Sequence, residues 1–204
     1  MILKSTQKVL DSLTNSPSEF LIQCDYNSLQ TELVDFKHRF TGGQEVILFL
    51  SALSSLQRDN KLIGNFLSVK LKTLSYKETL NEFVKEVLKR MNVDKTHLLP
   101  LPEKGSACKR LHLFMRWMVR KDAVDPGGWA DIPKSELIIP VDVHMHRMGI
   151  RLGFTNRKSA NLKTAMEITR GFKRIQSEDP VKYDFALTRY GIQKLTDSKL
   201  FNSL

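Results

Sequence analysis

Lys109 and Asp142 are the two residues of this chain whose types, taken together, could do covalent chemistry. A neutral lysine amine is the nucleophile that forms Schiff bases with sugar carbons. Lys109 is expected in the first turn of a helix over about 106–120. There the helix N-terminus and the basic neighbours Lys104 and Arg110 both disfavour the ammonium form. On spacing alone a lysine so placed is better suited to contact phosphate than to attack carbon. Asp142 follows 33 positions later. The residue before a proline avoids helix, so Leu137-Ile-Ile-Pro140 reads as a short extended buried piece. Asp142 then stands at the N-cap of a helix from Val143 to about Leu152. A carboxylate at that position accepts backbone N–H bonds and stays ionised. It can stabilise a cation developing beside it or take a proton from an ammonium. For Asp142 standing alone, capping and nothing more is the simpler reading.

Other chemistries find less support. His144 and His146 are two apart, and residues two apart on a helix do not share a face, so a shared metal is not expected. Cys108 lies beside Lys109 and Arg110, which favours a thiolate, yet no histidine–asparagine constellation accompanies it, and it reads as a small helix residue. Gly42-Gly43 is a turn rather than a phosphate loop, because no Lys-Ser/Thr follows it. Cys24 and Cys108 are the only cysteines, too few for a disulfide framework or a four-cysteine cluster.

The elements that must hold Lys109 and Asp142 are helical nearly throughout. Ile2, Val9, Leu10 and Leu13 mark a first helix over 2–13. Ser16-Pro-Ser-Glu19 carries a cap, a proline at the first helical position and a glutamate three after the cap. Gly42-Gly43 precedes an apolar helix at 44–57. Ser75 to Met91 is amphipathic, its stripe of Leu80, Phe83, Val84, Val87, Leu88 and Met91 reading as core. Asp125-Pro-Gly-Gly128 makes 121–136 a loop. Lys158–Ile175 and Val181–Tyr190 are further helices. No repeat and no strand pairing is expected; the fold class is all-α. Met1 is followed at once by periodic apolar positions, with no cap or turn before them.

The 204 residues are 41% hydrophobic and 26% charged, ordinary globular values that exclude a fibre or a disordered tail. The longest apolar run, Val46 to Leu53, is too short to span a membrane, and the N-terminus does not read as a signal peptide, so cytoplasm is the expected location. The formal net charge of +10 favours a polyanionic partner, nucleic acid before an anionic membrane surface. Lys104, Lys109, Arg110, Arg116, Arg120 and Lys121 form one stretch without an acid, and His144, His146, Arg147, Arg151, Arg157 and Lys158 form another. Two acid-free stretches favour a binding surface over a solvated helix face.

Gly105-Ser-Ala-Cys-Lys-Arg-Leu-His-Leu-Phe-Met115 and Pro140-Val-Asp-Val-His-Met-His-Arg-Met148 closely resemble the helix-hairpin-helix DNA glycosylases with AP lyase activity, especially the 8-oxoguanine glycosylases. The long Lys-to-Asp separation is more like the archaeal branch. Asp179-Pro-Val-Lys-Tyr-Asp-Phe-Ala-Leu187 resembles the late helix that closes the base pocket. From about Phe36-Lys-His-Arg-Phe40 to Gly191 the chain is similar to an uncharacterised bacterial family of that superfamily.

The resemblance implies that Lys109 attacks the anomeric carbon of a damaged nucleotide and that Asp142 assists its deprotonation and stabilises the cationic sugar. It implies DNA contacts at Lys104, Gly105, Ser106, Arg110, His144 and Arg147. The damaged base, 8-oxoguanine favoured, would be flipped into a cleft lined by Phe114, Tyr183, Asp184 and Phe185. No cofactor and no metal are implied, since a C-terminal four-cysteine iron–sulfur cluster is absent. The hairpin Leu101-Pro-Glu-Lys-Gly-Ser-Ala107 departs from the pattern by lacking its second glycine and by carrying Glu103. The expected organisation is one all-α glycosylase-like domain lacking its first helices, with a helical lobe at 1–95, the hairpin and catalytic segment at 96–152 and closing helices at 153–204. The expected partner is double-stranded DNA carrying a damaged base or an abasic site, bound by a nucleoid-associated monomer that has no membrane partner. The rival readings are a non-catalytic DNA-binding module on the same fold and a protein whose basic face docks an acidic partner.

Overall fold

Local signals place the helices. The computed structural model describes residues 2–13, 16–23 and 26–189; Met1, Cys24 and the segment from Tyr190, where the last expected helix ends, lie outside them. Helix α1 spans Ile2–Asp11 and α2 spans Pro17–Gln23, with the Ser16 carbonyl accepting from the Phe20 N–H. Helix α3 (Tyr26–Leu33) leads into a minimal antiparallel hairpin, β1 (Lys37–His38) and β2 (Thr41–Gly42). This is the one pairing of strands among the described residues, and strands of two residues leave no alternation to read in the sequence. Helix α4 (Gly43–Asn60) starts against the end of α3: a Cβ on Gly43 would lie 1.9 Å from the Leu33 carbonyl oxygen, so only glycine allows the approach.

Helices α5 (Ile63–Leu71) and α6 (Tyr76–Met91) follow. Ser75 and Glu78 close a capping box at α6: the Ser75 N–H donates to the Glu78 carboxylate at 2.9 Å, and the Glu78 N–H to the Ser75 hydroxyl at 3.4 Å. All six residues of the expected α6 stripe are buried.

The chain divides into two compact units: residues 1–69 with 82–96, and residues 70–81 with 97–204. Apart from Thr96, the segments read as 96–152 and 153–204 thus fall in one unit, which also takes up 70–81. The first unit is built on Leu13, Leu29, Leu33, Phe36, Val46, Ile47 and Leu50, with Val9, Phe20 and Leu21 packed against them.

The second unit contains a 3-10 turn at Pro102–Lys104, α7 (Lys109–Val119), a 3-10 turn at Lys134–Glu136, α8 (Val143–Arg151), α9 (Leu162–Lys173) and a helical turn at 184–189. Helix α8 starts at Val143 as the sequence pattern suggests, while α7 and α9 start later than it does. Helix α7 begins at Lys109 rather than at 106, because Gly105 (φ 80°) and Cys108 (φ 46°) are both left-handed and Ser106 bridges to Asn161. Helix α9 begins at Leu162 rather than at 158, because the Asn161 side chain accepts from the Thr164 N–H and sets the cap. Helices α8 and α9 meet closely at Gly149, where a Cβ would lie 2.5 Å from Ile168 Cδ1. No helix among the described residues is long and apolar enough to cross a membrane.

One buried group in this unit makes stability depend on pH. His112 is 1% exposed, stacks on Tyr76 with ring centroids 6.1 Å apart, and has no hydrogen-bond partner on either ring nitrogen among the described residues. Burial pushes its pKa down to about 4. An unfolded histidine takes up its proton near pH 6.5, so between those values the unfolded chain binds a proton that the folded chain refuses. Stability is therefore full above pH 6.5 and falls as the pH drops toward 4, by about 2–3 kcal/mol. Denaturant midpoints at pH 7 and pH 4.5 should show this loss, and His112→Phe should remove most of it. An equal pH dependence in that variant would assign the loss to other groups.

Candidate active site

Two chain segments bring Lys109 and Asp142 together. The buried piece 137–141 runs without regular structure into α8, held in part by the Ile139 N–H donating to the Thr169 hydroxyl at 3.0 Å. Asp142 caps α8 in an extended conformation (φ −107°, ψ −172°), and its Oδ1 accepts from the Met145 N–H at 2.8 Å. With one carboxylate oxygen fixed on the helix, the other is presented to Lys109: Nζ to Oδ2 is 3.2 Å. The Lys109 side chain is 47% exposed and that of Asp142 18%. Burial opposes ionisation of Asp142. The Met145 N–H, the Lys109 ammonium and the charge of His144 outweigh it and hold the carboxyl below its ordinary range. The arrangement is a fixed, ionised carboxylate against a solvent-reachable amine.

Beneath this pair, the face of α7 that carries Lys109 continues into a buried ionic network. Arg116, 3% exposed, donates to Asp125 Oδ2 through Nε at 3.2 Å and to Asp184 Oδ2 through a terminal nitrogen at 2.5 Å. Arg120 donates to Asp125, to Asp179 at 2.9 Å and to Asp122 at 2.8 Å. Asp125 is fully buried. Burial pushes the Asp184 carboxyl up, Arg116 opposes that, and the charge of Asp142 adds to it. Asp184 therefore connects the network electrostatically to Asp142.

A family model described as a protein of unknown function (DUF2400) matches residues 1–193. The chain belongs to the DUF2400 family. No curated protein and no solved structure matches it. Both members of the Lys109–Asp142 pair, and every aspartate of the network beneath it, lie inside the DUF2400 match.

The remaining residues singled out from the DUF2400 sequence separate into exposed and interior groups. Lys104, Gly105, Ser106, Arg110 and Arg147 are exposed, and His144 is half-buried. Gly105 owes its identity to its left-handed φ, and its carbonyl accepts from the Leu162 N–H at 2.9 Å, which ties the end of the Pro102–Lys104 turn to α9. The Glu103 carboxylate accepts from the Asn81 amide at 2.8 Å. Arg110 donates to the His97 carbonyl. Among the expected pocket residues, Tyr183 and Phe185 are exposed, with Lys182 and Arg189 over their respective rings at 5.8 and 5.7 Å. Phe114 packs edge-on against Trp129 at 5.3 Å. Asp184 is interior and paired with Arg116.

The acid-free stretch around α7 needs correction as a binding surface. Arg116 and Arg120 point inward, because Asp125 of the following loop and Asp179 and Asp184 late in the chain neutralise them. In the second basic group Arg157 is paired with Glu167 at 2.8 Å, and the His146 ring lies 2.8 Å from the Arg157 carbonyl. Burial also pushes the Cys108 thiol up, away from a thiolate. The buried network is the element that sequence reasoning missed. Its one visible trace is the recurrence of basic residues at 109, 116 and 120, spacings of seven and four that keep all three on one helix face.

Proposed function

We propose that this protein is a base-excision DNA glycosylase with AP lyase activity on a helix-hairpin-helix glycosylase fold, taking an oxidised base, 8-oxoguanine first. Lys109 is its Schiff-base nucleophile. The observation that carries this reading is the 3.2 Å contact between Lys109 Nζ and the ionised, helix-anchored Asp142. In the resting state the pair stores the amine as an ammonium. When a flipped nucleotide is present, the ammonium passes a proton to the leaving base, and the amine so freed attacks C1′ as the glycosidic bond breaks and the base leaves with the bonding electrons. The charge of Asp142 stabilises the cationic sugar; once the carbon–nitrogen bond has formed, Asp142 takes the proton the nitrogen sheds and returns it to the ring oxygen as the sugar opens. Ring opening gives an iminium, loss of the C2′ proton expels the 3′ phosphate, and the strand is cut. Borohydride would trap the iminium. Duplexes carrying 8-oxoguanine, an abasic site or uracil, each incubated with borohydride, test the reading: a covalent complex with the first two is expected, and none with any duplex would overturn the chemistry.

The second reading, a DNA-binding module without catalysis, draws on the same contact, because a lysine kept as an ammonium beside a carboxylate is not itself nucleophilic. Both readings need phosphate contacts. Replacing Lys104, Arg110, His144 and Arg147 together by neutral residues should weaken duplex binding and flatten the plot of log affinity against log salt by roughly 0.9 for each phosphate no longer neutralised. An unchanged slope would reject this surface.

A further inference from the structure

We propose that the tip of the β1–β2 hairpin is a separate duplex-DNA contact, in which Phe40 inserts between base steps while Lys37 and Arg39 take the flanking phosphates. The proposal rests on the nucleic-acid reading above but uses none of its residues. Phe40 is 94% exposed, the most exposed large hydrophobic side chain among the described residues. The hairpin register, Lys37 opposite Gly42 and His38 opposite Thr41, makes Arg39-Phe40 the two-residue turn. Phe36, four residues earlier, is buried in the core of the first unit and anchors the base of the hairpin. The His38 ring is held 2.8 Å from the Ser5 hydroxyl of α1. The phenyl ring is thus carried outward on a short, doubly anchored support, which lowers the ordering cost of using it as a contact.

The turn has the chemistry of a nucleic-acid wedge. Apolar side chains that part base steps work beside cations that hold the backbone, and an aromatic face stacks on any base. Within residues 34–44, Lys37 and Arg39 outnumber the single acid, Asp35. Arg39 occupies a left-handed position (φ 53°) that two-residue hairpins normally give to glycine or asparagine. The turn therefore keeps a guanidinium where folding alone would prefer another residue. An anionic membrane is the other surface such a tip could meet, but a lone aromatic gives far less burial than even a single acyl chain, which itself binds only marginally.

Duplex affinity measured by anisotropy for the full chain, Phe40→Ala, Phe40→Trp and Arg39→Asn tests this. Phe40→Ala should bind duplex DNA about tenfold or more weakly, in line with the loss of one stacked ring. Phe40→Trp should bind like the parent, and its added indole emission should be quenched by duplex and unaffected by vesicles of anionic phospholipid. Arg39→Asn, whose side chain suits the turn, should fold at least as stably and bind more weakly. If the parent binds duplex and Phe40→Ala binds equally well, or if the Phe40→Trp emission ignores DNA or responds to vesicles instead, the wedge is overturned while the Lys109 reading stands. If the parent binds no duplex at all, the nucleic-acid reading itself fails, and the wedge with it.

Discussion

Lys109→Gln protein incubated with an abasic duplex and borohydride is expected to give no covalent complex and no strand cleavage above background, with duplex affinity close to that of the parent. Glutamine is one atom shorter but can still donate a hydrogen bond; it supplies no amine, and only the iminium makes the C2′ proton acidic enough for elimination. Affinity changes little because one cation among several phosphate contacts is removed. Asp142→Asn should behave differently. The helix cap survives, since asparagine also accepts from the Met145 N–H, so folding should hold. The charge facing Lys109 is lost, and base release should slow by about 10²–10³-fold with a smaller effect on binding, because that charge matters most as the sugar becomes cationic. Parental nicking of abasic DNA by the Lys109 variant would leave the DNA-binding module as the function. Parental base release by Asp142→Asn would reduce that aspartate to a cap.

Asp125→Ala should destabilise the protein by about 3–5 kcal/mol, the usual cost of removing one partner from a buried ion pair. The Asp125 carboxylate is fully buried and its Oδ2 serves both Arg116 and Arg120. Removing it leaves two guanidinium groups, 3% and 7% exposed, with less compensation than they had. Urea unfolding followed by the emission of Trp117 and Trp129 would read the change, with Lys104→Ala as an exposed cation expected to move stability by less than about 0.5 kcal/mol. Apolar replacement of both Arg116 and Asp184 should cost less than either single change, since no unpaired charge then remains. A midpoint for Asp125→Ala within that of the Lys104 control would mean that the network carries no stability.

Much of the site was legible one element at a time. Asp142 declared itself as a cap because Pro140 forbids helix just before it and a periodic stretch follows. Lys109 fell in a first helical turn because Pro100, Pro102 and Gly105 interrupt the chain ahead of it. The start of α7 was less clear: the left-handed backbone at Cys108 belongs to a residue type that rarely adopts it, and the Ser106–Asn161 bridge joins residues far apart in sequence. The two-residue strands were invisible because alternation needs more positions than they have.

The sequence by itself determined the helical class of the fold and the ionised aspartate at its cap, because each depends on neighbours within a turn or two of helix. Only the tertiary structure decided that Lys109 and Asp142 touch, 33 residues apart, and which arginines face water. Charge counted along the chain made Lys109, Arg116 and Arg120 members of one basic stretch. Folding left Lys109 half-exposed beside its carboxylate and drew the two arginines into the interior, where Asp125, Asp179 and Asp184 meet them. The physical reason is that a buried charge must find its counter-charge wherever the fold brings one, and those aspartates lie at up to 68 positions' separation from the arginines they neutralise.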